Sequence, residues 1–224
     1  MKISVTEIAR VIDHTLLAPE ATAEMAAQLC READEHGFYS VCVSPVFVPL
    51  ARDRLAGSPV RVCTVVGFPA GVNETAVKAY EARRAIQQGA DEIDMVMNVG
   101  AAKAGDWTRV GLDVESVVDS APGHLVKVIL ETCLLTDEEK QRACEVCVAA
   151  GAGFVKTSTG FNASGANVAD IRLMRAAVGP NVGVKASGGI RDYQTACKMI
   201  EAGASRLGTS SGLKITSGHM LPQP

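Results

Sequence analysis

The chain has 224 residues, 47% of them apolar and 4% aromatic, with 21 glycines and a formal net charge of -3. That length suits one domain or two small ones. With no Lys/Arg cluster and a weak negative charge, nucleic acid and anionic membranes are poor partners, and no apolar run is long enough to span a bilayer.

Residues 12–16 form a short candidate first strand. Residues 22–36, rich in Ala, Glu, Leu and Gln, read as a helix. Gly37, Gly57, Gly89, Gly123, Gly151, Gly179 and Gly203 then each precede a short apolar run: 38–43, 60–66, 91–96, 125–130, 154–156, 182–185 and 206–208. A glycine that ends a helix in the left-handed conformation, followed by a buried strand, is the expected helix-to-strand junction. Between these runs lie further helices. Residues 45–55 read as one. Residues 74–88 carry Ala76, Ala79, Tyr80, Arg83 and Ile86 at helical spacing, and residues 107–118 follow. Thr136 opens the next helix, with Glu139 completing a capping box. Residues 167–177 and 192–202 finish the set. Scarce aromatics and plentiful glycine suit helices packed on a parallel sheet.

Alternating strands and helices imply an α/β protein with a parallel sheet. Eight such units imply a closed (β/α)8 TIM barrel, for which about 250 residues is typical, here a single domain over residues 1–224. An open doubly wound sheet is the alternative, weakened because no G-x-G-x-x-G follows the first strand.

Side chains alternate along a strand. One face of each later strand is uniformly apolar: Ile93, Met95 and Met97; Val126, Val128 and Leu130; Val182, Val184 and Ala186. Those faces suit the helix layer. The opposite faces carry Glu92, Asp94 and Asn98; Lys127 and Glu131; Phe154, Lys156 and Ser158; Lys185 and Ser187. Asp94, Lys127, Lys156 and Lys185 are thus expected to point into the barrel, an interior with three ammoniums and few carboxylates. Such a set could be interior ion pairs that only close the barrel. Three lysines and an aspartate on adjacent strands favour a chemical role, because a lysine that is neutral near physiological pH is a nucleophile towards carbonyls. Schiff-base formation followed by proton transfer at carbon is the chemistry suggested, with Asp94 supplying or relaying protons.

Two Gly/Ser turns lie where a barrel holds phosphate, after strands seven and eight: Ser187-Gly188-Gly189-Ile190 and Gly208-Thr209-Ser210-Ser211-Gly212. Backbone N–H groups in such turns cradle phosphate oxygens. Asp13 and His14 adjoin at the end of the first strand. No G-x-S-x-G nucleophile accompanies them, so Asp13 fits an orienting or hydrogen-bonding role. His36, His124 and His219 read as solvated.

Residues 1–7 lack a signal-peptide core, so a cytoplasmic location is expected. Seven cysteines are an odd number for a secreted disulfide framework. Cys144 and Cys147 have C-x-x-C spacing, but they sit in a helical stretch with no second Cys/His pair. Structural zinc takes four ligands, so buried reduced thiols are the simpler reading.

Several of these stretches match a known family in order along essentially the whole chain. They are Ile12-Asp13-His14-Thr15-Leu16, Val62-Cys63-Thr64-Val65-Val66-Gly67-Phe68-Pro69, Glu92-Ile93-Asp94-Met95-Val96-Met97-Asn98, Val126-Lys127-Val128-Ile129-Leu130-Glu131-Thr132, Phe154-Val155-Lys156-Thr157-Ser158-Thr159-Gly160 and Val184-Lys185-Ala186-Ser187-Gly188-Gly189-Ile190. The chain resembles the deoxyribose-phosphate aldolases. The resemblance implies a class I aldolase without metal or cofactor, acting in deoxyribonucleotide catabolism. It would cleave 2-deoxy-D-ribose 5-phosphate reversibly to D-glyceraldehyde 3-phosphate and acetaldehyde. By the family's motif Lys156 forms the Schiff base, and Lys185 is the neighbour that lowers its pKa. Asp94 takes part in proton transfer, Asp13 belongs to the same polar cluster, and Gly160, Gly188, Gly189, Ser210 and Ser211 match phosphate-loop positions. Two departures stand out. Some members carry a lysine after the Thr-Ser-Thr-Gly run, where this chain has Phe161, and some end in a tyrosine that the tail 216–224 lacks. The partners implied are small phosphosugars and aldehydes, with assembly into a homo-oligomer left open. The rival readings are another Schiff-base phosphosugar aldolase or transaldolase, and a phosphosugar-binding barrel without catalysis.

Overall fold

In the computed structural model, which describes residues 3–217, eight parallel strands close into a barrel in chain order. They are β1 (Ile12–Leu16), β2 (Ser40–Val43), β3 (Arg61–Val66), β4 (Glu92–Val96), β5 (Leu125–Ile129), β6 (Phe154–Lys156), β7 (Gly183–Ser187) and β8 (Arg206–Thr209). Closure is made by β1 on β8, with Ile12 opposite Leu207 and Asp13 opposite Gly208. The helices are α1 (Val5–Ala9), α2 (Ala23–His36), α3 (Val48–Arg54), α4 (Thr75–Gln87), α5 (Val99–Lys103), α6 (Trp107–Asp119), α7 (Asp137–Ala149), α8 (Val168–Val178), α9 (Tyr193–Glu201) and α10 (Gly212–Ser217). None is long and apolar enough to cross a membrane.

Expected helix starts fall one residue early, for one reason. Thr22, Asn167 and Asp192 are N-caps with extended backbone, and each side chain accepts an N–H from the first turn. Thr136 and Glu139 form the expected capping box. The expected helix over 45–55 is broken: Pro45–Phe47 is a 3-10 turn and the α-helix begins at Val48. The short helices α1, α5 and α10 were not anticipated, although Ser4 and Glu7 make a second capping box at α1.

The outward faces behave as the alternation requires. Ile93, Met95, Met97, Val128, Val155, Val184 and Ala186 are fully buried in one core shared by strands and helices. Burying an aliphatic side chain of this size is worth roughly 1.5–3 kcal/mol. Ion pairs also lie in this outer layer: Lys78 of α4 donates to Asp113 of α6 at 2.6 Å and to the carbonyl of Val96 at 2.9 Å, tying two helices to the end of β4, and Lys140 of α7 donates to Asp170 of α8 at 2.7 Å. Inside the barrel, a Cβ at Gly183 would stand 2.2 Å from the Phe154 ring. The missing side chain on β7 therefore makes room for the aromatic on β6.

Candidate active site

Register places the polar residues in one cluster. Asp94 on β4 is level with Lys127 on β5, and Lys156 on β6 is level with Lys185 on β7 and, through it, Arg206 on β8. Closure brings Asp13 round to the same interior. Asp94 is the hub. Its Oδ2 accepts from Lys156 and from Lys185, each at 2.7 Å, and its Oδ1 accepts from Lys127 at 2.9 Å and from the Cys63 thiol at 3.2 Å. Lys185 also pairs with Asp13. Lys127 also pairs with Glu92 at 2.6 Å. Arg206 bridges the last two acids, donating its Nε to Asp13 at 2.9 Å and its Nη2 to Glu92 at 3.0 Å, while its guanidinium lies 3.4 Å from the centroid of the Tyr39 ring. Ser40 adds a hydroxyl to Asp13 at 2.7 Å.

The expectation of few interior carboxylates is therefore corrected. Asp13, Glu92 and Asp94 face Lys127, Lys156, Lys185 and Arg206, three acids against four bases. Burial opposes ionisation of Asp94, but Lys127, Lys156 and Lys185 outweigh it and hold the carboxyl well below its ordinary value. Asp13 is lowered in the same way, against its own burial, by Lys185 and Arg206. Lys185 is disfavoured as a cation by burial, yet Asp13 and Asp94 raise it above the ordinary lysine value. Lys127 is raised likewise, chiefly by Asp94.

Only Lys156 of the three lysines opens onto a cavity, of about 290 Å³. Lys127 and Lys185 are fully buried. The cavity lies at the C-terminal ends of the strands. Gly160, Gly188, Gly189 and Ser210 line it together with Lys156, so four of the five expected phosphate positions meet the lysine in one space. Ser211 is not on the lining, and its N–H donates to the Thr209 hydroxyl at 2.9 Å. Arg191 also lines the cavity and brings a cation that sequence reasoning passed over. So does Ser187, whose buried hydroxyl has no hydrogen-bond partner among the described residues. Phe161 lines the same mouth, half exposed, edge-on to Phe68 with centroids 5.2 Å apart.

The other candidates fall elsewhere. His14 points away from Asp13 towards α2, with Nε2 2.8 Å from Glu32 and its ring 5.1 Å from that of Phe38. His36 is exposed, whereas His124 is half-buried and lies 3.2 Å from the carbonyl of Asp91. His219 and the tail beyond residue 217 lie outside the described residues. Cys144 and Cys147 are buried in α7, and burial pushes the Cys144 thiol up to about 12. One other group of potential metal ligands exists among the described residues: Cys42, Cys63 and Asp94, with ligand atoms within 4.8 Å of one another. It does not suit a cation, because three lysine ammoniums already occupy Asp94.

The sequence matches the family model for DeoC/LacD aldolases over residues 8–218. It is 60% identical to a deoxyribose-phosphate aldolase of Brevibacillus brevis, over 93% of this chain and 95% of that protein. It is 57% identical to one from Listeria monocytogenes, over 97% and 98%. Among solved structures, the deoxyribose phosphate aldolase of Aeropyrum pernix, described as tetrameric, superimposes with a TM-score of 0.92 at 35% identity, over 98% of this chain and 94% of that one. A family model that spans nearly the whole chain, with relatives this similar, leaves one assignment: the chain belongs to the DeoC/LacD family of aldolases.

Proposed function

We propose that this protein cleaves 2-deoxy-D-ribose 5-phosphate reversibly to D-glyceraldehyde 3-phosphate and acetaldehyde, through a Schiff base on Lys156. The observation that carries the residue assignment is the position of Lys156. It shares the acid hub with two other lysines and is the only one of them on the cavity wall. The chemistry follows from that placement. The Lys156 amine adds to the C1 aldehyde of the open-chain sugar, and loss of water leaves an iminium. The iminium withdraws electrons as the proton leaves the C3 hydroxyl and the C2–C3 bond breaks. A two-carbon product requires this bond, not C3–C4. The aldehyde triose phosphate departs, and the enamine left on Lys156 takes a proton at C2 and is hydrolysed to acetaldehyde.

Asp94, held ionised by its lysines, serves as counter-ion to the iminium. It takes part in proton transfer through water within reach of Lys156; general acid–base help of this kind is worth roughly 100- to 10,000-fold. Lys185 is the fixed positive charge beside the nucleophile. Asp13 holds Lys185 in place. Gly160, Gly188, Gly189 and Ser210 are assigned to the phosphate end, in a region where backbone N–H groups suit an anion, while Ser211, off the cavity wall with its N–H on Thr209, supports the turn. The whole chain, residues 1–224, is read as one catalytic domain. A cytoplasmic setting fits helices too short or too polar to cross a membrane, and the tetrameric description of the Aeropyrum pernix relative favours a homo-oligomer.

Acetaldehyde and borohydride test this. An ethyl group trapped on the peptide containing Lys156, and lost in Lys156→Arg, supports the assignment. The same label on the Lys185 peptide alone would reassign the nucleophile. No label at all would favour a binding barrel without catalysis.

A further inference from the structure

We propose that Glu131 is a positioning residue for the phosphate end of the site, holding the loop between β6 and α8 in its binding shape. The inference rests on the reading of Gly160 and the β7 turn as the phosphate site. Glu131 follows β5 directly and takes the left-handed backbone conformation, with φ 58° and ψ 62°. It is the only residue other than glycine with positive φ among the described residues. A non-glycine residue held there is strained, and such strain gathers at functional sites. Its side chain is only 2% exposed, and among the described residues no Lys, Arg or His forms an ion pair with it. A buried carboxylate without a cation is costly unless hydrogen bonds satisfy it.

Apart from a long contact from the Cys133 thiol at 4.0 Å, those bonds come from one loop. Thr159 donates its N–H to Oε2 at 3.3 Å and its hydroxyl to the same oxygen, and Asn162 donates its amide to Oε2 at 3.0 Å. The Thr159 hydroxyl in turn accepts the N–H of Phe161 at 3.1 Å. Gly160 and Phe161, the cavity-lining residues, thus sit inside a stretch whose flanks Glu131 grips. The far end of the loop is held separately, by the N–H of Ala166 donating to the carbonyls of Ser187 and Gly188, both at 3.0 Å. Glu131 is the side-chain anchor for the near end. Its chemistry suits the task, because an ionised carboxylate only accepts, and three donors from the loop converge on it. Glutamine can keep a carbonyl oxygen at the Oε2 position for these three donors and loses only the negative charge and the contacts at Oε1, whereas alanine would release them all.

The test compares Glu131→Gln and Glu131→Ala on 2-deoxyribose 5-phosphate and on unphosphorylated 2-deoxyribose. With alanine, KM for the phosphorylated sugar should rise about tenfold or more, as loss of several buried hydrogen bonds implies. Glutamine should give a smaller rise. The kcat for both sugars, the KM for the unphosphorylated one and the acetaldehyde–borohydride label on Lys156 should stay within about twofold, since none of these needs the phosphate end. Equal losses on both sugars, or an unchanged KM for the phosphorylated one, would overturn the proposal. If the alanine variant does not fold, Asn162→Ala takes its place, with a weaker rise in the same KM supporting the role and no rise overturning it. Failure of the unmutated protein to take the label would count against the Schiff-base assignment. A normal label with an unaltered discrimination between the sugars would count against Glu131 alone.

Discussion

Lys156 and Lys185 donate to the same atom, Oδ2 of Asp94, each at 2.7 Å. One oxygen cannot neutralise two ammoniums, and the surroundings resolve the competition. Lys185 has Asp13 as a second carboxylate and no exposure; Lys156 has only the shared oxygen and a cavity. Of the four bases, Lys156 is the one with a single carboxylate partner among the described residues.

Removing the fixed charge should therefore disable Lys156 without removing it. In Lys185→Leu, Lys156 loses a neighbouring positive charge and no longer shares Asp94 Oδ2 with it, so it holds its proton more tightly. At neutral pH kcat/KM should fall about 100-fold or more, the scale of lost acid–base assistance. Acetaldehyde trapping should persist but slow. Its rate should recover partly as the pH rises, because the amine is freed only at higher pH than in the unmutated enzyme. A trapping rate in Lys185→Leu with the same pH dependence as the parent would show that Lys185 does not set the charge state of its neighbour.

The same network predicts how stability depends on pH. Asp13 and Asp94 are lowered below their ordinary values in the folded state. Their contribution is complete above the unfolded value of about 3.9 and is lost as the pH falls through the folded values. Lys127 and Lys185 are raised. Theirs is complete below about 10.4 and is lost as the pH rises through the folded values. The ion cluster should thus add a constant stability from about pH 5 to about pH 9. Urea midpoints across that range should show no step that Asp13→Asn removes. A stability that rises as the pH falls from neutrality to about pH 5, and that this substitution abolishes, would mean that Asp13 is raised rather than lowered in the folded state.

Much of this site is legible in the sequence because one face of a strand repeats every second residue. That periodicity puts Asp94, Lys127, Lys156 and Lys185 on the interior face, and all four meet there. The same rule applied to β8 sets Leu207 outside and Arg206 inside. That run is short and ends at Gly208, so its alternation carried little weight. The carboxylates were undercounted for a different reason. Asp13 and Arg206 are 193 residues apart and touch only because β1 closes on β8. Nothing local to either residue announces the other. Helix starts were legible through caps such as Thr136 with Glu139, yet the same pattern at Ser4 and Glu7 passed unread in a five-residue helix. Glu131 lies on the interior face by alternation, but its left-handed backbone has no sequence sign, since that conformation is normally signalled by glycine.

The phosphate end can be probed at Gly189. This glycine lines the cavity with φ at +79°, and a Cβ built on it meets nothing within 4 Å. Space is available there, so a new side chain acts through backbone strain and through its charge. Gly189→Ala carries the strain alone, and Gly189→Asp adds a negative charge where the phosphate is assigned. Like charges disfavour binding, so the aspartate should raise KM for 2-deoxyribose 5-phosphate about tenfold or more beyond the alanine variant, a difference of about 1.4 kcal/mol in binding. For unphosphorylated 2-deoxyribose the two variants should behave alike, because neither substrate nor product then meets the new charge with one of its own. The excess should shrink in high salt if solvent reaches the pair, as the half-open cavity mouth allows. Equal KM values for aspartate and alanine on the phosphorylated sugar would place the phosphate away from the turn after β7.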